Sequence, residues 1–426
     1  MSLSSGVALR PHPFPYRASL ALASDVDGCS PDRFEEIHRF LNTREGTPSG
    51  PGLGLDVGDS FWFYCAHPSV RDVVSYFEGV SDRPSAAAVR ILGWIRRGWI
   101  DCLHSYGDFE QAGGFRRGMA ERALAVLKAE GLDIRVWINH GGPFHNLQNL
   151  MHPRSLGDLP RYLSPNGTDQ PVLEYHADLT VGAGMRFCWS QDLLTRVVGQ
   201  DRPCGRLEHH QGADEAVPAL RRLAAAALDL ASVPAPAPVR RALGKACAYL
   251  GVPPYESNDL IEPFHLRDGS LVYRFRRYGD YRKDAPEDLP ALLAPRILDR
   301  LEETGGSLAL FTHLGKPRTR RERAFLPDEA AALGVLADRH REGRIQVLRT
   351  SSLLGQAMLR RSLRWRAEPG RILLDGVDDP VFGRFLPSPK ALDQVSFLCP
   401  EGTQVLLEGR PLPVRAFPSG VRIETA

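Results

Sequence analysis

The sequence lacks several features that would place it in a common class of protein. It has no run of roughly 20 apolar residues, so we expect no membrane-spanning helix and no membrane partner. Its N-terminus has no apolar stretch typical of a signal peptide. The seven cysteines include no C-x-x-C pair, which argues against a cysteine zinc site and favours reduced thiols. These absences predict a cytoplasmic protein.

A strong charge of one sign is also missing. The chain has 53 basic and 51 acidic residues and a formal net charge of +2, which argues against a nucleic-acid partner. No G-x-G-x-x-G motif opens a helix after the first apolar run, so nothing favours a dinucleotide-binding fold. With 426 residues and 43% hydrophobic content, the chain is long enough for a large core and more than one domain.

Strand-like and helix-like segments alternate along most of the chain. The helix-like segments have apolar residues at helical spacing, and the first follows an N-cap pair at Ser30 and Pro31. They are about 31–41, 85–97 and 116–130. The strand-like runs are apolar, β-branched or aromatic, and they are 18–23, 61–65, 100–104, 134–138, 172–175, 185–189, 307–313 and 345–349. This alternation predicts an α/β protein with a distorted (β/α) barrel.

Two regions interrupt the alternation. At about 193–300 the pattern weakens, with an Ala/Leu-rich helix predicted at 214–231 and an Ala/Pro stretch at 232–238. We interpret this region as an insertion into the barrel. After residue 362, short strand-like runs separated by Gly and Pro predict a small antiparallel β domain at 363–426. The barrel domain would then span residues 1–362.

Two aspartates follow the first strand. Asp25 and Asp27 are two residues apart, so in extended backbone both carboxylates face the same side. One can bind a cation while the other accepts a proton. The alternative is that Asp25, Val26, Asp27 and Gly28 are only a turn with a capping role.

Histidines follow several other strands. His104 and Asp108, four residues apart, can approach one ion, and their nitrogen and oxygen donors suit zinc. The alternative is a buried histidine and a solvent-facing aspartate. His140 precedes two glycines and can approach a ligand, and His176 can serve similarly, although a structural histidine is the alternative for both.

A last histidine ends the apolar run 308–312. His313 should lie at the rim of the barrel, where a titratable imidazole can act as a general acid. The basic segment 316–321 that follows either attracts an anionic group of the substrate or is a solvated loop.

Taken in order, these segments resemble the polysaccharide deacetylase superfamily, whose members fold as distorted (β/α) barrels and bind one divalent metal. Ala23-Ser24-Asp25-Val26-Asp27-Gly28 is similar to the family's T-F-D-D-G motif with one residue inserted. His104-Ser105-Tyr106-Gly107-Asp108 is similar to H-[ST]-x-x-H, with Asp at the second His. Trp189-Ser190-Gln191-Asp192 resembles the family's Trp and Asp motif in reversed order, and Leu308 to His313 resembles its last motif.

The resemblance implies a set of roles. One divalent ion, zinc by preference, would be held by Asp27, His104 and Asp108. Asp25 would be the catalytic base and His313 the general acid. Substrate contacts are assigned to His140, His176, Trp189 and Asp192. The family's R-x-P-Y motif is missing, and Asn139-His140-Gly141-Gly142 stands in its place. The arginine that steers the catalytic Asp in the family is therefore expected to be absent.

The implied activity is hydrolysis of an acyl group, an N-acetyl group by preference, from an amino sugar or a related saccharide. Two alternatives remain. One is a metal-independent glycoside hydrolase that uses two carboxylates on a similar barrel. The other is a sugar-binding protein without catalytic activity.

Overall fold

The computed structural model shows a mixed α/β protein built around one large sheet. It describes residues 6–65, 73–109, 115–140, 176–189, 193–202, 204, 258–266 and 268–425. The predicted strand at 172–175, the predicted helix at 214–231 and the Ala/Pro stretch at 232–238 lie outside these residues. Within the described ranges, no helix combines the length and the apolar character needed to cross a membrane.

The described residues form eight α-helices, several of which begin or end at signals visible in the sequence. The first starts after Ser30, whose Oγ accepts a hydrogen bond from the Arg33 amide at 3.3 Å, and Pro31 occupies its first turn. The second ends at Gly98, which adopts a left-handed φ of 75°. The helices are α1 (Pro31–Asn42), α2 (Ala88–Arg97), α3 (Arg117–Ala129), α4 (Ala177–Gly182), α5 (Leu289–Leu292), α6 (Pro295–Thr304), α7 (Pro327–Arg341) and α8 (Thr350–Ser362).

The largest sheet has eleven strands, and its neighbours are parallel except for one antiparallel pair, β7 with β8. The strands are β1 (Ala18–Ser24), β2 (Asp59–Phe61), β3 (Ile100–His104), β4 (Val136–Ile138), β5 (Phe187–Trp189), β6 (Leu194–Thr195), β7 (Ile261–His265), β8 (Leu271–Phe275), β9 (Arg277–Tyr278), β10 (Ser307–Thr312) and β11 (Ile345–Val347). Their order is β6-β9-β10-β1-β2-β3-β4-β5-β8-β7, and β11 also pairs with β1. The predicted alternation of strands and helices is therefore confirmed for this part of the chain.

The sheet curls into a half-barrel. Strands β8 and β9 are separated only by Arg276, yet β8 pairs with β5 and β9 pairs with β10. One short run of chain therefore contacts both flanks of the sheet. The sequence predicts an insertion at 193–300, but the described part of that region supplies β6 to β9. The strand signal there is weak because β6 and β9 are only two residues long and β8 and β9 each contain an arginine.

The parallel strands are buried on both faces, as their apolar sequences require. Leu20 and Leu22 of β1 belong to the hydrophobic cluster that includes Phe34 and Ile37 of α1. The alternate residues Ala21 and Ala23 belong to a second cluster, inside the curl, together with Cys102, Ile138, Phe187, Phe275 and Phe311. Successive side chains of a strand point to opposite faces, so this inner cluster fixes which residues at the strand ends face the interior.

After α8 the chain forms two small sheets. One contains β12 (Leu363–Glu368), β13 (Arg371–Asp379), β14 (Gly383–Phe385), β16 (Gln404–Leu407) and β17 (Arg410–Pro411), and the other contains β15 (Ser396–Leu398), β18 (Val414–Phe417), β19 (Gly420–Ile423) and the N-terminal Ala8–Leu9. Neighbouring strands in the first of these sheets are antiparallel except β13 and β16. The chain leaves this sheet after β14, forms β15 in the other sheet, and returns as β16, which runs parallel to β13. Four further strands among the described residues, each of two residues, are Gly46–Thr47, Gly50–Pro51, Tyr64–Cys65 and Gly107–Asp108. Buried Leu374 and Phe397 share the inner hydrophobic cluster with Leu354 of α8.

A buried histidine links the amino ends of β1 and β10. The Nδ1 atom of His12 lies 2.8 Å from Ser19 Oγ, and its Nε2 atom lies 2.8 Å from the Gly305 carbonyl. A carbonyl only accepts, so Nε2 carries the proton and Nδ1 accepts from the serine. Burial lowers the pKa of His12 to about 4.

We expect acid to destabilise the wild-type protein more than the His12→Asn variant. The unfolded imidazole titrates near 6.5, whereas the folded one resists protonation, so this stability is present above pH 6.5 and is lost as the pH falls toward 4. Urea unfolding at pH 7.5 and pH 5 should show an extra loss of about 2 kcal/mol in the wild type. Equal losses in both proteins would contradict the role of His12.

Candidate metal centre and active site

Seven strands place a polar or aromatic side chain at the carboxyl end of the curled sheet. We call these side chains the rim residues. Each either comes after a residue of the inner cluster in its strand or contacts another rim residue. They are Asp25, Trp62, His104, His140, Trp189, Arg277 and His313. The sequence predicts that the strand ends at Asp25, His104, Ile138, Trp189 and His313 meet at one rim, and the pairing of β10-β1 and of β3-β4-β5 confirms it.

Asp27, in the turn after Asp25, forms a buried triad with two of the rim histidines. Its Oδ2 atom lies 3.3 Å from His104 Nε2, and its Oδ1 atom lies 3.4 Å from His140 Nδ1. The two imidazole nitrogens, His104 Nε2 and His140 Nδ1, are 3.0 Å apart. This cluster of Asp27, His104 and His140 can hold a metal ion.

The donor set fits a small divalent cation. Tetrahedral bonds of about 2.0–2.1 Å, as in zinc sites, separate neighbouring ligand atoms by about 3.3 Å. The two imidazole nitrogens are 3.0 Å apart, each lies 3.3 or 3.4 Å from one of the two Asp27 oxygens, and one ligand atom from each residue lies within 4.8 Å of the others. The Oδ2 atom of Asp27 is buried and accepts no hydrogen bond. A buried carboxylate oxygen without a donor is costly, and a cation would remove that cost.

Each triad histidine has a second carboxylate on its other nitrogen. Asp25 Oδ1 lies 3.5 Å from His104 Nδ1, and Asp108 Oδ1 lies 3.4 Å from His140 Nε2. Carboxylates in this position can orient metal-binding histidines. The sequence predicts Asp108 as a metal ligand and His140 as a substrate contact. In the structure His140 completes the triad, and Asp108 lies behind it.

Metal binding should therefore depend on His140 more than on Asp108. We expect His140→Ala to remove most of the bound metal, because it leaves two protein ligands. Asp108→Asn should weaken metal affinity by about 10–100-fold, the usual cost of losing an outer carboxylate. Competition with a chromophoric chelator would measure both affinities. The opposite ranking would restore Asp108 as the ligand.

Asp25 is held by an arginine of β9, which is two strands away from β1 in the sheet. Arg277 of β9 is fully buried and donates from Nη1 to both Asp25 oxygens, at 3.0 and 2.9 Å, and from Nη2 to Oδ1 at 3.0 Å. Its guanidinium lies 4.5 Å from the centre of the Trp189 ring and 5.5 Å from that of Phe311. The arginine expected to be absent is thus supplied from another strand, which corrects that expectation.

His313 is positioned by two carboxylates. Its Nδ1 atom lies 3.1 Å from Asp284 Oδ2, and its Nε2 atom lies 3.5 Å from Asp27 Oδ2. The backbone reinforces this arrangement, since the His313 amide donates to the Asp284 carbonyl at 2.5 Å. Asp284 fixes one side of the ring, so that the other side faces the triad.

Neighbouring charges shift the pKa values of Asp25, Asp27 and His313 toward their charged forms. Burial alone would raise the pKa of the Asp25 carboxyl, but the Arg277 guanidinium and His104 hold it well below its usual range. Likewise, His104, His313 and His140 outweigh burial and hold the pKa of Asp27 well below its usual range. Burial would lower the pKa of His313, but its contacts with Asp27 and Asp284 raise it to about 10. Without a bound cation, these shifts favour ionised aspartates and a protonated His313 at neutral pH.

The remaining predicted residues are placed differently. Trp189 lies in the rim, against Arg277. His176 is fully buried among Tyr106, Phe115 and Trp137, in the layer between sheet and helices, and so is not at the rim. Asp192 lies outside the described residues.

Three site residues were not predicted from the sequence. Arg277 is 252 positions from Asp25, and nothing local marks it as a partner. Asp284 lies in a charged loop that resembles solvated surface. Trp62 belongs to the aromatic run 61–64, which also reads as ordinary core. For Trp62, the alternation of side chains along a strand was a usable signal, because it places Trp62 on the same face as Ser60. In the structure, Ser60 Oγ accepts a hydrogen bond from the Val26 amide, next to the two aspartates.

The chain matches no protein-family model, no curated protein and no solved structure. Function is therefore inferred from the chemistry of the rim residues, with the resemblance of the short motifs as support.

Proposed function

We propose that this protein is a metal-dependent hydrolase that removes an acyl group, the N-acetyl group of an amino sugar or related saccharide. The observation that carries the proposal is the different surroundings of two aspartates from one strand end. Asp27 lies against two imidazoles in a triad that suits a cation, whereas Asp25 is bound by Arg277. That division separates a metal ligand from a proton acceptor.

We further propose that the curled sheet is a deacetylase-type barrel, closed by the segment that contains β8 and β9. This segment pairs with β5 on one flank and with β10 on the other. Active sites of such barrels lie at the carboxyl ends of the strands, where the rim residues are found.

In the proposed reaction, each rim residue has a distinct task. A divalent ion on Asp27, His104 and His140, zinc by preference for nitrogen and carboxylate ligands, would supply Lewis acidity toward the acyl carbonyl and toward a water molecule. Asp25, kept ionised and oriented by Arg277, accepts the proton of the attacking water. Protonated His313, oriented by Asp284, donates a proton to the leaving amine. Water and amide thus yield a carboxylic acid and an amine.

An exposed aromatic ring beside the site supports a saccharide substrate. Tyr281 is 47% exposed, and its ring contacts Phe311 edge-on at 5.6 Å. Phe311 in turn lies next to His313 and Trp189. A solvent-facing tyrosine combines an apolar face with a polar tip, which suits the faces and hydroxyls of a sugar ring.

The charge states of the two aspartates disfavour the glycosidase alternative. A glycoside hydrolase needs one carboxyl group that is protonated near neutral pH, which requires a raised pKa. Here the surrounding cations lower the pKa of both Asp25 and Asp27. Neither aspartate is suited to donate a proton to a glycosidic oxygen.

Acetate release from N-acetylglucosamine and its short oligomers tests the proposal. We expect the zinc-loaded protein to release acetate and the chelator-treated protein to release none until zinc is restored. New reducing ends that persist after chelation would support a glycoside hydrolase instead. Binding of the oligomers without either product would support a sugar-binding protein.

A further inference from the structure

Two buried indole N–H groups at the rim have no hydrogen-bond partner. Trp62 and Trp189 are each 2% exposed, and the Nε1 atom of each is unpaired. Trp137 belongs to the same hydrophobic cluster as Trp62 but differs from it, because its Nε1 donates to Asn139 Oδ1 at 3.0 Å. The protein thus satisfies the Trp137 indole and leaves the Trp62 and Trp189 indoles unsatisfied.

An unsatisfied buried donor has a consequence for binding. Leaving such a group without an acceptor costs about 1–3 kcal/mol, and an indole nitrogen can only donate. A ligand oxygen at the rim would recover that cost. A buried donor that lacks a partner and lies beside a candidate site is therefore a place where a ligand can present an acceptor.

Trp62 is the indole nearer to the proposed metal ligands. Its ring centre lies 5.7 Å from that of His104 and 5.3 Å from that of His140. The indole of Trp189 lies instead against Arg277, beside the proposed base. An indole ring next to two of the three proposed ligands is close to where an acyl oxygen would bind.

We propose that Trp62 is a catalytic residue, whose indole N–H donates a hydrogen bond to the oxygen of the acyl group. This inference rests on the proposed function. The hydrogen bond strengthens as negative charge develops on that oxygen during attack by water, so it stabilises the transition state more than the bound substrate. No other rim residue offers a neutral, unpaired donor beside the triad within the described part of the chain.

The Trp62→Phe variant tests the proposal, because phenylalanine keeps an aromatic ring and removes the N–H. Acetohydroxamate, which combines an acetyl carbonyl with a metal-chelating oxygen, serves as the probe for the zinc-loaded protein. We expect calorimetry to show about tenfold weaker acetohydroxamate binding, the effect of one hydrogen bond, with unchanged zinc stoichiometry. Turnover of an N-acetyl substrate should fall by about 10²–10³-fold.

Trp94→Phe is the matched control, since Trp94 is equally buried but lies in α2 behind the sheet. It should change neither affinity nor turnover. If Trp62→Phe does not fold, the indole 1H–15N NMR spectrum of the wild-type chain provides the test instead. The chain has six tryptophans. The Trp62 signal, assigned by replacing the other five in turn, should shift downfield when acetohydroxamate is added.

Each outcome decides the matter. Unchanged affinity in a folded Trp62→Phe variant, or an indole signal that does not move, would overturn the role of Trp62, and so would loss of zinc from the variant. If the wild type binds acetohydroxamate but releases no acetate, the proposed function fails. The hydrogen bond from Trp62 is then still tested by comparing the acetohydroxamate affinities of the wild type and of Trp62→Phe. If the zinc-loaded wild type does not bind acetohydroxamate, both proposals fail.

Discussion

Asp25→Asn is expected to keep the metal and to lose turnover by roughly 10²–10⁴-fold, the usual contribution of a general base. The reason is that Asp25 bonds to Arg277 and lies behind His104, so it is not one of the three triad ligands. Asparagine keeps the shape of the side chain but cannot accept the proton of water. Elemental analysis and acetate release, measured on the same preparation, test both halves of the expectation.

Asp27→Asn is the matched comparison, two residues along the same strand end. It should lose both metal and turnover, because a neutral amide is a poor substitute for a carboxylate ligand. If Asp25→Asn loses the metal and Asp27→Asn keeps it, the two roles are exchanged and the mechanism survives. Full activity and full metal content in both variants would reduce this segment to a turn.

The strand pattern of the sequence was sufficient to place most of the rim. Apolar runs that end in Asp25, His104 and His313 could be recognised locally, because buried parallel strands are nearly all apolar and their polar ends stand out. Once the strands are parallel neighbours, their carboxyl ends must meet on one side of the sheet. The proximity of Asp25 to His104 and of Asp27 to His313 follows from that rule.

The choice between Asp108 and His140 could not be made from spacing. Asp108 lies in the short strand Gly107–Asp108, which pairs with Tyr64–Cys65 beyond the end of β3. That detour carries its carboxylate to the outer nitrogen of His140. His140 reaches the triad because it lies two residues beyond Ile138, on the same inward face. The path of the chain beyond the strand end thus decides which side chain joins the triad.

Arg277 could not be predicted for a different reason. Arg277 reaches Asp25 only because β8 pairs with β5 and β9 pairs with β10. These pairings join residues that are distant in the sequence, so the residues next to Arg277 do not indicate its partner. The run Arg274, Phe275, Arg276, Arg277 resembles a solvated edge, yet the adjacent residues Arg276 and Arg277 point to opposite faces. Arg276 pairs with Glu262 at 2.9 Å, and Arg277 faces inward.

Arg277→Met is expected to destabilise the folded protein by about 3–5 kcal/mol, because it leaves the buried carboxylate of Asp25 without a counter-charge. Methionine preserves much of the length and can still pack against Trp189, so the loss reports the charge rather than a cavity. Arg117→Met is a matched control: Arg117 binds Asp178 through two contacts of 2.7 Å, but these side chains are 26% and 46% exposed. An exposed pair of this kind contributes about 1 kcal/mol or less.

The double variant Arg277→Met with Asp25→Asn separates the charge from the packing. Removing the carboxylate charge as well should recover most of the lost stability, since a neutral amide is far less costly to bury alone than an ion. It should not recover turnover, because the base is gone. Urea unfolding of the metal-free proteins gives the free energies, and acetate release of the zinc-loaded proteins gives the activity. If Arg277→Met were no more destabilising than Arg117→Met, Asp25 would have to be neutral or solvated in the folded protein, and it could not be the ionised base on which the proposed reaction depends.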